Sequence, residues 1–258
     1  MLKFYLLPAA AGLLFVLNSC QKRHNSNDGS ILRRSVTNAS GSGLIATNYV
    51  YDQDGVLVRL QLTMNPDNPN FWQEAIVLQF NAAGYLTKSY NAEYGNSAYN
   101  IQEYTYSSRR DTIRSVITPY RFLQPAYTRQ VVLDDRQRVI SDSTRALPTG
   151  DITFTSFTWD AAGNMATETS GLIVNGTQQT SKEITYTYDT HRNPFRSFGL
   201  PYYLVTREGK AFNVNNVQSW TENNFRYTWQ YDYNPNDLPL NSFVPTANGG
   251  LKYEFYYR

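Results

Sequence analysis

The stretch Phe157-Thr158-Trp159-Asp160-Ala161-Ala162-Gly163-Asn164-Met165 holds a β-hairpin within nine residues. Phe157 and Trp159 flank polar Thr158, the period-two signature of a strand with one buried face. Asp160 can accept a hydrogen bond from the backbone two residues on. Gly163 tolerates the positive φ of a tight reversal. Met165 then opens a returning strand.

The same pattern recurs along the chain. Tyr49-Val50-Tyr51-Asp52-Gln53-Asp54-Gly55-Val56-Leu57 and Leu78-Gln79-Phe80-Asn81-Ala82-Ala83-Gly84-Tyr85-Leu86 are copies, and so are units at 132–139, 186–193 and 229–237. A degenerate copy lies at 104–110. Taking Asp52, Asn81, Ser107, Asp134, Asp160, Asp189 and Asp232 as anchors, the spacings are 29, 26, 27, 26, 29 and 43. A unit of about 27 residues is therefore followed by one carrying an insertion. Phe225, Tyr227, Trp229 and Tyr231 alternate with Arg226, Thr228 and Gln230. Ile152 and Phe154 fall out of phase with Phe157 and Trp159, which predicts a bulge near Ser156.

Seven hairpins make about fourteen or fifteen strands. The expected fold is all-β: an antiparallel meander in a strongly coiled sheet that can close into a barrel-like shape, with the aromatic face inside. Aromatics make up 15% of the 258 residues, which fits strands better than helices.

These units resemble the YD or Rhs-type repeat: an aromatic, any residue, Tyr-Asp, two residues, Gly and an apolar residue. The whole chain resembles a group of Bacteroidota lipoproteins of unknown function. The features carrying this are Tyr188-Asp189, Asn193-Pro194-Phe195, Asn215-Asn216 and the closing Tyr253-Glu254-Phe255-Tyr256-Tyr257. The resemblance implies an all-β envelope protein and carries no activity with it.

The N-terminus reads as an address. Lys3 precedes an apolar run from Phe4 to Leu17, too short for an ordinary span and right for a secretory signal. It ends in Leu17-Asn18-Ser19-Cys20, which resembles a lipobox with Cys20 as the lipidated residue. The expected organisation is a signal peptide at 1–19, a lipidated Cys and flexible tether at 20–43, and the repeat domain at 44–258. Ile31 and Leu32 could dock as a short strand. Acyl chains give roughly 0.8 kcal/mol per buried methylene, so the first expected partner is a membrane, through the lipid anchor. Surface-exposed lipoproteins of this phylum carry an acidic cluster after the Cys. Here Gln21-Lys22-Arg23-His24 follows, which points to an outer-membrane protein facing the periplasm.

The net charge of +2 belongs to this tether. From residue 35 on, 18 basic residues stand against 20 acidic ones, so a nucleic-acid partner is not expected. One Cys and two His exclude a zinc finger, a disulfide framework and an all-His metal cage. No cofactor and no metal is expected.

No catalytic set stands out. His191, the one His outside the tether, reads as a solvated turn residue. Glu74, Glu103, Glu168, Glu183 and Glu254 lie near strands and could in principle supply a carboxylate pair. Asp52-Gln53-Asp54-Gly55 opens like a calcium loop but lacks the later ligands, so its Asp reads as a turn former. Aromatics outside the regular units are the candidate ligand-binding set: Trp72, Tyr202, Tyr203 and Trp220. They could stack on sugar rings or plug the open ends of a curled sheet. The expectation is a non-enzymatic protein with a structural or interaction role and a protein or polysaccharide partner. The alternative is a glycan-binding lipoprotein, and a glycosidase or Rhs-like shell fragment is weaker still.

Overall fold

The computed structural model describes residues 31–39, 43–63, 74–93, 98–119, 124–245 and 250–257. Cys20 and Trp72 lie outside the described residues. Seventeen strand segments are β1 (Leu32–Ala39), β2 (Gly43–Tyr51), β3 (Leu57–Thr63), β4 (Glu74–Phe80), β5 (Leu86–Glu93), β6 (Ala98–Tyr106), β7 (Thr112–Thr118), β8 (Tyr127–Leu133), β9 (Val139–Ala146), β10 (Ile152–Trp159), β11 (Met165–Val174), β12 (Thr177–Arg192), β13 (Asn215–Glu222), β14 (Phe225–Thr228), β15 (Gln230–Tyr233), β16 (Pro239–Val244) and β17 (Leu251–Tyr257). One α-helix, α1 (Gly199–Thr206), stands between β12 and β13, with short helical turns at Pro194–Ser197 and Gly209–Ala211.

The meander is the expected one, and it closes. Consecutive strands pair antiparallel, and β1 pairs with both β2 and β17. An all-antiparallel ring needs an even number of strands. Seventeen segments reduce to sixteen because β14 and β15 are halves of one strand. They are separated only at Trp229, whose N–H donates to the Gln218 carbonyl at 2.8 Å. The extra strand beyond the expected number comes from the tether. Leu32–Ala39 lies within the stretch expected to be flexible, yet it fills the gap between β2 and β17 with hydrogen bonds on both sides. The sheet therefore begins ahead of residue 44.

Local chemistry explains the turns. Asp52 Oδ1 accepts the N–H of Asp54 and Val56, both at 2.9 Å. Asn81 does the same for Ala83 and Tyr85, and Asp134 for Arg136 and Arg138. Gly55, Gly84 and Gly163 take the positive φ that each reversal needs. Two anchors differ from expectation. The β15–β16 hairpin turns on Asn234, whose Oδ1 accepts from Asn236 and Leu238, while Asp232 is an exposed strand residue. Asp189 makes no hairpin turn, because β12 continues to Arg192. The bulge expected near Ser156 falls instead at the end of β10, between Thr158 and Trp159. Phe154 is out of phase because it packs over Gly171, where a Cβ would lie 3.0 Å from its ring.

The interior is filled by the insertion after β12. Tyr203 and Leu204 join Leu78, Leu86, Ile113, Val131 and Phe157 in one core cluster. Phe195, Phe198, Tyr202 and Ala211 join Leu32, Tyr49, Leu60 and Phe255 in a second. Fully burying one such side chain contributes roughly 1.5–3 kcal/mol. The insertion is thus a plug whose apolar residues are the core of the barrel. Exposed strand positions are mostly polar, among them Glu103, Arg114, Gln130, Arg145, Glu183 and Arg226.

Candidate functional site

The lumen around the plug is the candidate site. Asparagines hold the plug in place. Asn193 Oδ1 caps the Phe195 N–H at 3.0 Å, and its Nδ2 donates to the Lys210 and Asn213 carbonyls. The Asn193 N–H donates to the Val214 carbonyl at 3.2 Å, so entry and exit of the plug are joined. Asn164 Oδ1 accepts the N–H of Val214 and of Asn215 at 2.8 and 2.9 Å. Asn213 Oδ1 takes the Met165 N–H at 2.9 Å. The Asn-Pro-Phe and Asn-Asn elements of the sequence therefore tie the plug to the rim.

Buried charge ties it to the wall. Arg129 on β8 forms a bidentate pair with Asp142 on β9 and donates to the Leu204 carbonyl in α1. The Tyr203 hydroxyl donates to Asp142 at 2.7 Å. Burial opposes the Arg129 charge, but the Asp142 carboxylate outweighs it and holds the guanidinium pKa above its usual value. Burial and Asp142 together push the Tyr203 phenol up.

Two cavities lie beside the plug. The first, of about 120 Å³, lies between the plug and the β13–β17 wall. Trp229, Tyr231, Tyr253 and Phe255 form one side, and Asn193 and Lys210 the other. Lys210 sits 4.1 Å from the Phe195 ring centroid and pairs with Glu208 at 2.7 Å. Burial disfavours its charge, yet Glu208 outweighs this and raises its pKa. The second cavity, of about 370 Å³, lies between β9–β12 and the C-terminal end of α1. Hydroxyls of Thr144, Thr153, Thr155 and Ser170 line it, with Glu168 on the wall and Arg207 from the plug.

The sequence-predicted ligand aromatics are not a set. Tyr202 and Tyr203 are 4% and 1% exposed, because α1 turns them into the core. Tyr202 donates to Glu208 at 2.5 Å. Both lie in the core rather than in an open loop, and Tyr203 is also in the lining of the second cavity. Trp220 is half-buried, stacked on Tyr227 at 4.9 Å and 17°. It begins an aromatic stripe through Trp229, Tyr231 and Tyr233 to His191. Trp72 lies outside the described residues.

His191 lies in β12 rather than in a turn, with its side chain 37% exposed. Its ring stacks on Tyr233 at 3.8 Å and its Nδ1 bonds to Asp237. The five glutamates have separate neighbours. Glu74 bonds to Asn91, Glu168 accepts from Tyr186, and Glu254 takes Lys252 and Tyr256. Glu103 and Glu183 are exposed on strands. Among the described residues no group of three or more His, Cys, Asp or Glu could hold a metal, and no helix is long and apolar enough to cross a membrane. Arg207 had no sequence signal: it is one arginine among many until the fold places it.

No protein-family model matches the chain, and no curated protein does. Among solved structures it is similar to a porin-like protein from Bacteroides uniformis ATCC 8492, with TM-score 0.55 and 8% identity over 88% of this chain and 98% of that one. A porin-like protein from Bacteroides vulgatus ATCC 8482 is similar at TM-score 0.40 and 10% identity, over 88% and 98%. The TcdB2-TccC3 structure is similar at TM-score 0.32 and 17% identity, over 81% of this chain and 10% of that one. The first of these likenesses shows a shared fold: the chain is an all-β barrel with the architecture of the Bacteroides uniformis protein.

Proposed function

We propose that this chain is a plugged, water-facing barrel of the bacterial cell envelope, anchored by acyl chains on Cys20 and acting by binding rather than by catalysis or conduction. The observation that carries this is the reversal of a membrane barrel. A spanning barrel shows lipid an apolar band and keeps polar residues inside. Here both core clusters lie inside around the plug, and the exposed strand positions are mostly polar, Arg, Glu and Gln among them, with Leu44, Val116, Ile140, Leu172, Phe225 and Leu240 scattered between. The porin-like description of the Bacteroides uniformis protein supports an envelope location.

β1 starts at the end of the barrel that carries the short Asp and Asn turns, where the Leu32 carbonyl accepts from the Tyr51 hydroxyl beside the Asp52 turn. An anchor upstream of Leu32 therefore leaves the opposite end free for a partner. Metabolic acyl labelling of wild type and Cys20→Ala tests the anchor, and label retained in the variant would sink it. Protease treatment of intact and lysed cells tests the side: digestion only after lysis fits the periplasmic reading. Single-channel conductance from the purified full chain in a planar bilayer would contradict the plugged, non-conducting reading.

A further inference from the structure

We propose that the cavity between β9–β12 and the plug binds a carboxylate-bearing sugar, with Arg207 as the residue that takes the carboxylate. This goes beyond the anchored binding role proposed above and does not depend on lipidation.

Arg207 is placed at a cost. It is the residue after α1 and has φ +62°, a left-handed conformation in which glycine is the usual and cheaper occupant. Its backbone need is only the N–H bond to the Tyr203 carbonyl at 2.7 Å, which glycine would make equally well. The side chain is what glycine cannot supply. Its guanidinium makes one hydrogen bond, to the Thr144 hydroxyl at 3.1 Å, and no ion pair with a carboxylate. The nearby Asp142 is already engaged by Arg129 and Tyr203. Arg207 lines the cavity while remaining solvent-exposed; partial desolvation, then repulsion from Arg129, lowers its pKa, and the Asp142 carboxylate acts the other way. A guanidinium that lines a cavity and makes no ion pair can take an anion, and its fork geometry suits a carboxylate.

The rest of the cavity selects the kind of anion. Its volume of about 370 Å³ falls within the usual range for small ligands, about 300–1,000 Å³. The walls include Thr144, Thr153, Thr155 and Ser170, with Glu168 held by the Tyr186 hydroxyl at 2.9 Å and Asp142 by Arg129 and Tyr203. A bare inorganic anion gains nothing from Glu168. A sugar acid places its carboxylate on Arg207 and lets its ring hydroxyls donate to Glu168 and exchange bonds with the threonines. Phe157 and Tyr203, both core residues, add apolar surface to the lining.

The test is calorimetric titration of the purified full chain with D-glucuronate, D-glucose and sulfate at matched ionic strength. The expected result is binding of glucuronate, weak or absent binding of glucose, and no binding of sulfate. Glucose binding as tightly as glucuronate would overturn the carboxylate role. Sulfate binding as tightly would overturn the sugar, leaving a point-anion site. No heat from any of the three overturns the proposal. Arg207→Gly suits its own backbone conformation, so its melting temperature should be unchanged or raised while glucuronate affinity falls roughly tenfold or more. Undiminished affinity in a folded Arg207→Gly would rule out the assigned role. Should that variant fail to fold, the wild-type ligand series still decides.

Discussion

Asp142 grips Arg129 with both carboxylate oxygens, Nε at 2.9 Å and Nη2 at 2.6 Å, across adjacent strands inside the barrel. The two side chains are 5% and 1% exposed. A buried pair of this kind adds little net stability over an apolar pair, but breaking it leaves an uncompensated charge. Its place explains its use: it faces the plug, and Leu204 and Tyr203 complete its hydrogen bonds.

Asp142→Asn should therefore lower unfolding free energy by about 3–5 kcal/mol. The double variant Arg129→Met with Asp142→Leu should cost less than either charge-breaking single change. Guanidinium unfolding curves of wild type, Arg129→Met, Asp142→Leu and the double variant check this, and additive losses would refute the coupling.

The turn anchors give a contrast. Asp134→Ala removes two backbone hydrogen bonds and the pair with Arg138, and should cost about 1–2 kcal/mol. Asp232→Ala, in an exposed strand position, should stay within about 0.5 kcal/mol. Burial raises the Asp134 pKa, but the Arg138 backbone and side chain outweigh this and hold it below the usual value. A depressed folded pKa means the contribution is present above the unfolded value of about 3.9 and is lost as pH falls through the folded one. Wild type and Asp134→Ala should converge in stability in that acid window.

Asn164→Ala removes the acceptor for two plug N–H groups and should cost about 2 kcal/mol or more. The loss is local to the exit of the plug. Limited proteolysis should cut within residues 193–214 sooner in the variant than in wild type, while cuts in the strand turns stay unchanged. Faster cutting everywhere would mean that the plug and the barrel open as one unit.

Alkaline pH should unfold the barrel. Burial pushes Tyr104 up from 10.0 to about 12, only partly offset by its bond to Ser89. Tyr106 and Tyr257 are also raised by burial. A raised folded pKa gives stability that is complete below the unfolded value and lost as pH rises through the folded one. Stability should thus fall between about pH 10 and 12, and tyrosinate absorbance of these groups should appear together with loss of far-ultraviolet structure.

Much of the fold was legible because its signals are local. Strand 225–233 shows Tyr227, Trp229 and Tyr231 alternating with exposed Arg226, Thr228 and Gln230 in the sequence itself, since side chains alternate with period two, although Phe225 at its start is exposed. Asp52, Asn81 and Asp134 were legible as turn formers because their bonds reach only two and four residues on. Asp189 and Asp232 were misread because the same Tyr-Asp pair can sit inside a strand. Whether a turn forms depends on the residues after the pair, and beyond Asp232 it is Asn234 that supplies the better acceptor.

The sequence alone determined the hairpins, their number to within one, and the inward aromatic face, since each comes from backbone chemistry over a few residues. Tertiary structure decided the rest. Leu32–Ala39 becomes a strand only because β2 and β17 offer it edges on both sides. Tyr202 and Tyr203 are core rather than loop only because Asn164 and Asn193 draw their segment into the lumen. Arg207 bonds Thr144 and makes no ion pair, while Asp142, 65 positions earlier, is bound to Arg129. Such contacts join residues far apart in the chain, and no short pattern of residue types records them.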